Sequence, residues 1–514
     1  MKRQLELLSE KEYDILVIGG GILGLFIAWD AVLRGLSVAL IEKEDFGGAT
    51  SSNSLRIIHG GFRHLQSLDF RNVRRFMREQ RIFMKLAPHL VKAMPVIIPI
   101  YSNNFLRKNS FAAAIRIYDL LGIGLDQSKE SDLKKSSNRV LSREECIEMI
   151  PDIKKNNLSG GIIFTDCQLS NSERFSIQVA ASAYKEGAIL ANYAEAIGLI
   201  VEDKKVKGAI VKDNLGGDEF EVRSRCTVNA SGPWLNSLLS TIDNDTSVKD
   251  FGNLRAFNLS IKRELTNGYA LGLQSPINNR YEAKLFSKGS RYLFITPWND
   301  KSLIGTQYLS SNLELDNFKV TREEMCSFID EINTLFPSAS LKSEDVEYVY
   351  GGFVPTYKGR DGKTKIGIKK YIHDHENYHG LSGLFSARGS KYTEARIVAQ
   401  ETVDLVIKKI GKSFRPSITE STPLYCAEFN KLGHGINNQI NDDSLIKTQI
   451  DYAIKEEMAQ KLTDVIFRRL TLHFDNIKSN LSQYSRIMAK ELNWDDSRIK
   501  KEEDEVFSKF SIFH

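Results

Sequence analysis

Residues 14–42 read DILVIGGGILGLFIAWDAVLRGLSVALIE, and their pattern decides the fold. The apolar run at 14–18 has the length of a buried strand. Glycines follow at once in the spacing Gly19-x-Gly21-x-x-Gly24. Leu25, Ala28, Trp29 and Val32 then recur at helical spacing, and Gly35 closes that helix. Residues 36–41 form a second apolar run, ended by Glu42. The whole predicts a β-α-β unit with two parallel buried strands. Glycines at these positions let the chain turn tightly and let a phosphate approach the backbone. The helix start offers free N–H groups and the positive end of its dipole. An acid closing the second strand accepts hydrogen bonds from a ribose hydroxyl. A glycine-rich turn also occurs with a purely structural role. Here strand, helix, second strand and acid fall together, which points to a dinucleotide on Gly19, Gly21, Gly24 and Glu42.

Around this unit the 514 residues are ordinary for a globular protein, with 42% hydrophobic and 26% charged residues and a mean hydropathy of −0.28. That excludes a disordered chain and a polytopic membrane protein. The net charge of +5 is too small to argue for nucleic acid. Five cysteines lie far apart with no CxxC pair, so neither a zinc ribbon nor a disulfide scaffold is expected, and no metal site. Reduced cysteines and the lack of a visible signal peptide fit a cytoplasmic protein. Helices are predicted at 70–86, around 176–186 and at 321–335, and strands at 257–263, 292–298 and 302–308. A strand-like run at 379–387 leads through a glycine turn into a long helix. The polar stretch 413–440 reads as a linker. Residues 445–466 and 481–492 carry helical apolar patterns, so 441–514 is expected to be a small helical domain.

Directly after the second strand comes GGATSSNSLRIIHGGFRHL, residues 47–65. Its small residues would let the backbone lie against a flat ring system. On this stretch the chain resembles the FAD-dependent glycerol-3-phosphate dehydrogenases and oxidases, within the D-amino-acid-oxidase group of flavoproteins. Ala49 to Ser52 match that family's ATSS. Ile58, His59, Gly60, Gly61, Arg63, His64 and Leu65 match its I-H-G-G-x-R-Y/H-L. Thr165-Asp166-Cys167, Glu173-Arg174, Asn229-Ala230-Ser231-Gly232-Pro233-Trp234, Ile295 to Trp298 and Gly389 to Thr393 are similar to further family stretches. The helical tail is similar to the family's C-terminal domain.

The resemblance implies an α/β fold with a helical tail. It comprises a doubly wound, Rossmann-like FAD-binding domain, an antiparallel-sheet substrate domain including about 256–345, and C-terminal helices. Residues 1–412 would form the catalytic core. It implies non-covalent FAD, its adenine half on Gly19 to Gly24 and Glu42, with Ala230 and Gly232 nearby. The isoalloxazine would lie along Ala49, Thr50, Ser51 and Ser52, with Gly389 and Thr393 facing its pyrimidine edge. The reaction would be oxidation of glycerol 3-phosphate to dihydroxyacetone phosphate.

The match fails at one informative place. The family's G-x-R-P segment reads Gly352-Phe353-Val354-Pro355, so a substrate arginine is replaced by Val354. A lost guanidinium removes a charge-assisted pair from a phosphate site. Arg388 and Arg360 are the candidates to replace it, beside Arg63 and Lys391, which match the family. The alternative is a different hydroxy or amine substrate. Alcohol oxidation needs a base for the hydroxyl proton, and a histidine suits neutral pH. His59 and His64 are the candidates. Quinone is the favoured electron acceptor, with oxygen as the alternative. The basic face of residues 71–85 and the amphipathic segment 105–123 suggest peripheral attachment to the inner face of the cytoplasmic membrane. A homodimer is left open.

Overall fold

The computed structural model describes residues 1–101, 105–125, 138–242, 251–275, 291–309, 315–316, 318–359, 362–411, 413–425, 443–470 and 474–510. The opening unit forms as strand Tyr13–Ile18, helix Ile22–Leu33 and strand Val38–Ile41. The second strand starts two residues later than the apolar run, because Ser37 is tied to Asp14 by side-chain bonds at 2.9 and 3.0 Å. Glu219–Asn229 pairs in parallel on one side of Tyr13–Ile18 and Val38–Ile41 on the other. Leu384–Ala387 and Ile189–Ala191 extend the parallel sheet, and Ile372–Asp374 ends it antiparallel.

Side chains alternate across a strand, and this sheet is buried on both faces. Ile15 and Val17 join one core with helices Ile22–Leu33, Ser172–Lys185 and Tyr392–Ile410. Leu16 and Ile18 join another, covered by the antiparallel meander of Ala194–Glu202, Lys205–Asp213 and Glu219–Asn229. Helices therefore cover one face and a β-meander the other.

The second sheet is larger than the 256–345 block. It runs in the order Thr364–Ile366, Val346–Lys358, Gly252–Ile261, Lys301–Leu309, Arg291–Trp298, Ala270–Ser275, Val91–Tyr101, Leu158–Leu169, Ile57–Ile58.

 The strand that pairs with Ile57–Ile58 is Leu158–Leu169, and all pairings are antiparallel except Val91–Tyr101 with Ala270–Ser275. Helix Arg322–Leu335, capped by a reciprocal Thr321–Glu324 box, packs on one face.

The C-terminal helices Asp443–Glu457, Phe474–Leu492 and Asp496–Phe510 share their own apolar core. The last of these has no sequence reading because its charges mask the buried Val506. The pattern over 445–466 is not one helix. It breaks after Glu457, where Met458 has φ +61, and resumes as a short turn, Leu462–Asp464, and a π-turn, Val465–Arg469. The break has a tertiary cause: Asn192 Nδ2 holds the Met458 carbonyl at 2.8 Å. Residues 413–425, read as linker, lie against the core. Leu424 N–H donates to the Leu86 carbonyl and Tyr425 N–H to Ser182 Oγ. Residues 426–440 lie outside the described ones, as does Cys426; among the described residues, Cys146, Cys167, Cys226 and Cys326 form no disulfide.

The π-turn drives Arg468 and Arg469 into the catalytic core. Both donate to the buried Asp45, Arg468 Nε at 2.5 Å and Arg469 Nη2 at 2.9 Å. Burial opposes the Asp45 charge, yet Arg469 and Arg468 hold its carboxyl well below the usual range. Removing one partner of a buried ion pair costs about 3–5 kcal/mol. Arg469→Met is expected to lose stability of that order, measured by urea unfolding; a loss under about 1 kcal/mol would refute this docking.

Candidate functional site

A cleft of about 430 Å³ opens at the end of the parallel strands. Gly19, Gly21, Glu42, Ala49, Thr50, Ser51, Ala230 and Gly232 all line it, with Lys43, Trp234 and Asp316 also on its wall. Gly19 has φ +109, and a Cβ there would stand 2.6 Å from the Ala230 carbonyl oxygen. Gly24 does not line the cleft. A Cβ on it would lie 1.9 Å from the Gly19 carbonyl oxygen, so this glycine lets the helix press against the turn. Glu42 Oε2 accepts from Gly20 N–H at 2.6 Å, and Oε1 from Glu44 N–H at 2.9 Å. Burial pushes its carboxyl up to about 7.

The loop 47–52 is anchored from several sides. Ser51 Oγ accepts from Ile22 N–H at 3.0 Å, and Ser52 Oγ donates to the Gly47 carbonyl. Ser52 is thus spent within the loop. Thr50 Oγ1 donates to the Phe353 carbonyl at 3.3 Å, linking the loop to strand Val346–Lys358. Tyr392 OH donates to the Ser51 carbonyl at 2.8 Å, which brings the start of helix Tyr392–Ile410 against the loop. Gly389 precedes this helix with space for close approach, since a Cβ there would meet only Leu23 at 3.7 Å. Thr393 Oγ1 is buried with no hydrogen-bond partner among the described residues.

Beyond the loop, Arg56 stands at φ +60, a strained conformation for a side-chain-bearing residue. It is held there by a buried two-pronged pair with Glu173 at 2.6 and 2.7 Å, and its guanidinium lies over Trp298. The chain then enters Ile57–Ile58 and reaches His59. His59 Nδ1 lies 3.1 Å from Asp166 Oδ2, and its side chain keeps 34% of its surface exposed against 5% for Asp166. Asp166 Oδ1 also accepts from Gly60 N–H at 2.6 Å and from Gln80 Nε2 at 3.3 Å.

Arg63 and His64 follow on the short turn Phe62–Ser67, with Arg63 exposed. The His64 ring and Lys391 Nζ approach the same Phe76 ring, at 4.9 and 4.6 Å from its centroid. Burial, and next the Lys391 ammonium, push His64 down to about 4. Burial lowers the Lys391 ammonium; Arg63 adds to this, while Glu394 and Asp166 oppose it. The structure thus brings His59, Arg63, His64 and Lys391 into one cluster, although they come from opposite ends of the core. It treats Arg388 differently. That side chain is 5% exposed, donates to the Gly252 carbonyl at 2.9 Å and lies over Phe251. Arg360 lies outside the described residues. Val354 is half-buried and shares a strand face with Gly352, the residue that approaches Thr50.

Sequence reasoning matched Thr165-Asp166-Cys167 as a motif but missed the carboxylate's job of holding His59. A buried acid beside a histidine has no local signature when 107 residues separate them. It also missed Gln80, on a helix read for its apolar stripe and its basic face.

Two family models match the chain. One, an FAD-dependent oxidoreductase domain, spans residues 14–405, and the other, the C-terminal domain of alpha-glycerophosphate oxidase, spans 425–499. A glycerol-3-phosphate dehydrogenase of Synechocystis is 31% identical over 90% of this chain and 89% of its own length. The chain belongs to the FAD-dependent glycerol-3-phosphate dehydrogenase family. An aerobic glycerol-3-phosphate dehydrogenase of Staphylococcus epidermidis is 28% identical, covering 97% of this chain and 94% of that protein. The solved structure of the glycerol-3-phosphate dehydrogenase from Bacillus halodurans, complexed with FAD, superposes with a TM-score of 0.73. It is 22% identical and covers 98% of this chain and 96% of that one.

The chain is therefore an FAD-dependent oxidoreductase, and its own residues fit that cofactor. The glycines form a cradle that a Cβ would fill, Glu42 ends the second strand at the cleft, and the unpartnered Thr393 hydroxyl waits at a helix start. Gly24→Ala is expected to lower FAD content at least tenfold, read by flavin absorbance per protein. Full yellow occupancy in this variant would refute the close-packing role.

Proposed function

We propose that this family member oxidises the secondary hydroxyl of glycerol 3-phosphate to the ketone of dihydroxyacetone phosphate, with the electrons passing on to a quinone. FAD, when bound, supplies the hydride acceptor at flavin N5. The observation that carries the reading is the His59–Asp166 pair at the edge of the Arg63–Lys391 cluster. The Asp166 carboxylate orients Nδ1, which turns Nε2 outward as the proton acceptor for the substrate hydroxyl. His64 is the poorer base, because an imidazole pushed down to about 4 holds a proton weakly at neutral pH. Arg63 and Lys391 supply positive charge for the substrate phosphate. Arg388, held by Gly252 and Phe251, is left out of the ligand set.

Val354 favours a second reading, the same chemistry on a different hydroxy or amine compound. An anaerobic titration with glycerol 3-phosphate separates the two. Bleaching of the flavin at low substrate concentration supports the first reading, and Arg63→Glu should then abolish bleaching while FAD stays bound. No bleaching, with dithionite still effective, supports the second. Each hydrogen bond to a charged group contributes about 1.5–3 kcal/mol. Val354→Arg is therefore expected to tighten glycerol 3-phosphate binding at least tenfold, and unchanged binding would mean that position 354 does not face the phosphate.

Membrane attachment takes a revised form. Much of the basic helix face Phe70–Leu86 is engaged within the protein. Arg75 and Arg78 pair with Glu401 and Glu420, while Arg74 and Arg81 donate to carbonyls at the end of helix Phe105–Gly122. Where these two helices meet, Leu68, Phe70, Leu120 and Ile123 are exposed. We assign the lipid-facing role to this apolar tip. Among the described residues no helix is long and apolar enough to cross a membrane. A Leu120→Glu, Ile123→Glu double variant is expected to lose co-sedimentation with anionic phospholipid vesicles; retained binding would sink the assignment.

A further inference from the structure

Tyr118 belongs to helix Phe105–Gly122, outside every family motif quoted above. Its side chain is buried, and its hydroxyl has no hydrogen-bond partner among the described residues. Buried hydroxyls without partners are rare and call for a reason. The ring cannot turn away. It stands edge-on to Phe62 at 5.3 Å and to Phe164 at 6.4 Å, wedged among Leu65, Val73 and Met77.

The hydroxyl points at the loop that carries His59. A Cβ built on Gly60 would lie 2.1 Å from Tyr118 Oη, 3.1 Å from Gln80 Oε1 and 3.2 Å from Asp166 Oδ1. The phenol oxygen and the carboxylate that holds His59 thus crowd the same point beside Gly60. Position 60 must be glycine for the two to approach.

We infer that Tyr118 is a positioning residue: its hydroxyl donates to the Asp166 carboxylate through one water, and so tunes the proton affinity of His59. This rests on the reading of His59 as the base. The charged and titratable groups facing Tyr118 are Asp166, Cys167, Arg81 and Asp119. Burial and then Asp166 raise the phenol well above its ordinary value, so it stays a donor throughout the working pH range. His59 faces Asp166, His64 and the Phe294 ring, with Arg63 and Lys391 around His64.

The sign follows from charge. A donor to Asp166 stabilises and spreads its negative charge, which weakens the pull of Asp166 on a protonated His59. Without the hydroxyl that pull grows, and His59 holds its proton to higher pH.

Tyr118→Phe keeps the ring and removes only the oxygen. In the full-length protein with ring-labelled histidine, His59 is assigned by the loss of its signal in His59→Gln. Tyr118→Phe is expected to raise the His59 NMR titration midpoint by about half a pH unit. The acid limb of anaerobic flavin reduction should move with it, slowing reduction about threefold below the limb, with FAD content and melting temperature unchanged. Site-specific 3-fluorotyrosine at position 118, a stronger donor of the same shape, should shift the midpoint the other way, and it serves as the test if Tyr118→Phe fails to fold. An unmoved midpoint in the folded variant overturns the inference. If His59→Gln keeps the acid limb, the base reading falls, whereas the coupling of Tyr118 to His59 is decided by the titration midpoint.

Discussion

A single buried carboxylate, Asp45, ties the molecule together. It lies two residues before the loop 47–52 and takes both Arg468 and Arg469 from the far end of the chain. A carboxylate buried without a partner costs several kcal/mol, so the catalytic core is not complete until the C-terminal helices dock. The contact reaches the loop itself: a Cβ on Gly48 would lie 3.8 Å from Arg468 Nη1. Tyr193 OH donates to Asp464 at 2.6 Å, and Asp464 accepts from Arg468 at 2.5 Å. The network thus spans the loop, the meander and the helical tail.

The start of helix Ser172–Lys185 carries this link toward His59. Adjacent residues there make opposite connections. Arg174 pairs with Glu457 and donates to the Arg469 carbonyl at 2.7 Å. Glu173 grips Arg56, three residues before His59. The left-handed Arg56 backbone is a local cost, of the kind that persists only where the surroundings over-determine it. Two buried ion pairs on one helical turn provide that constraint, and they fix the route by which the chain leaves the cofactor loop and enters Ile57–Ile58.

What the sequence made legible is what is local. Gly19, Gly21, Gly24 and Glu42 act within thirty residues of one another, and their spacing alone carries their geometry. Residues 47–65 are legible for the same reason, as one continuous segment that turns twice. What was hidden is what depends on partners far along the chain. Arg75 and Arg78 look like a solvated basic stripe until Glu401 and Glu420 fold against them. Arg388 looks like a spare phosphate ligand until the Gly252 carbonyl and Phe251 take it up. The helical pattern through 445–466 shows no break, because Asn192, which holds the Met458 carbonyl, lies 266 residues away.

The same distinction bears on the substrate. Position 354 lost a guanidinium in sequence, and the structure returns none through Arg388, whose guanidinium is engaged inside the core. Among the described residues, the cations brought to the His59 cluster are Arg63, exposed on its turn, and Lys391, partly desolvated at a helix start. An ammonium is a point charge with rotatable donors, whereas a guanidinium is a planar fork matched to two oxygens at once. On the proposed reading, a pocket that relies on one fork and one point charge selects for negative charge more than for the shape of a phosphate. Desolvation keeps His64 neutral at neutral pH and so avoids a third cation beside His59. Asp166 is the buried carboxylate in hydrogen-bonding distance of the His59 ring. On the proposed reading, proton removal and anion binding fall to separate residues, so a change among the anion ligands, such as Val354, alters which substrate enters without disturbing His59.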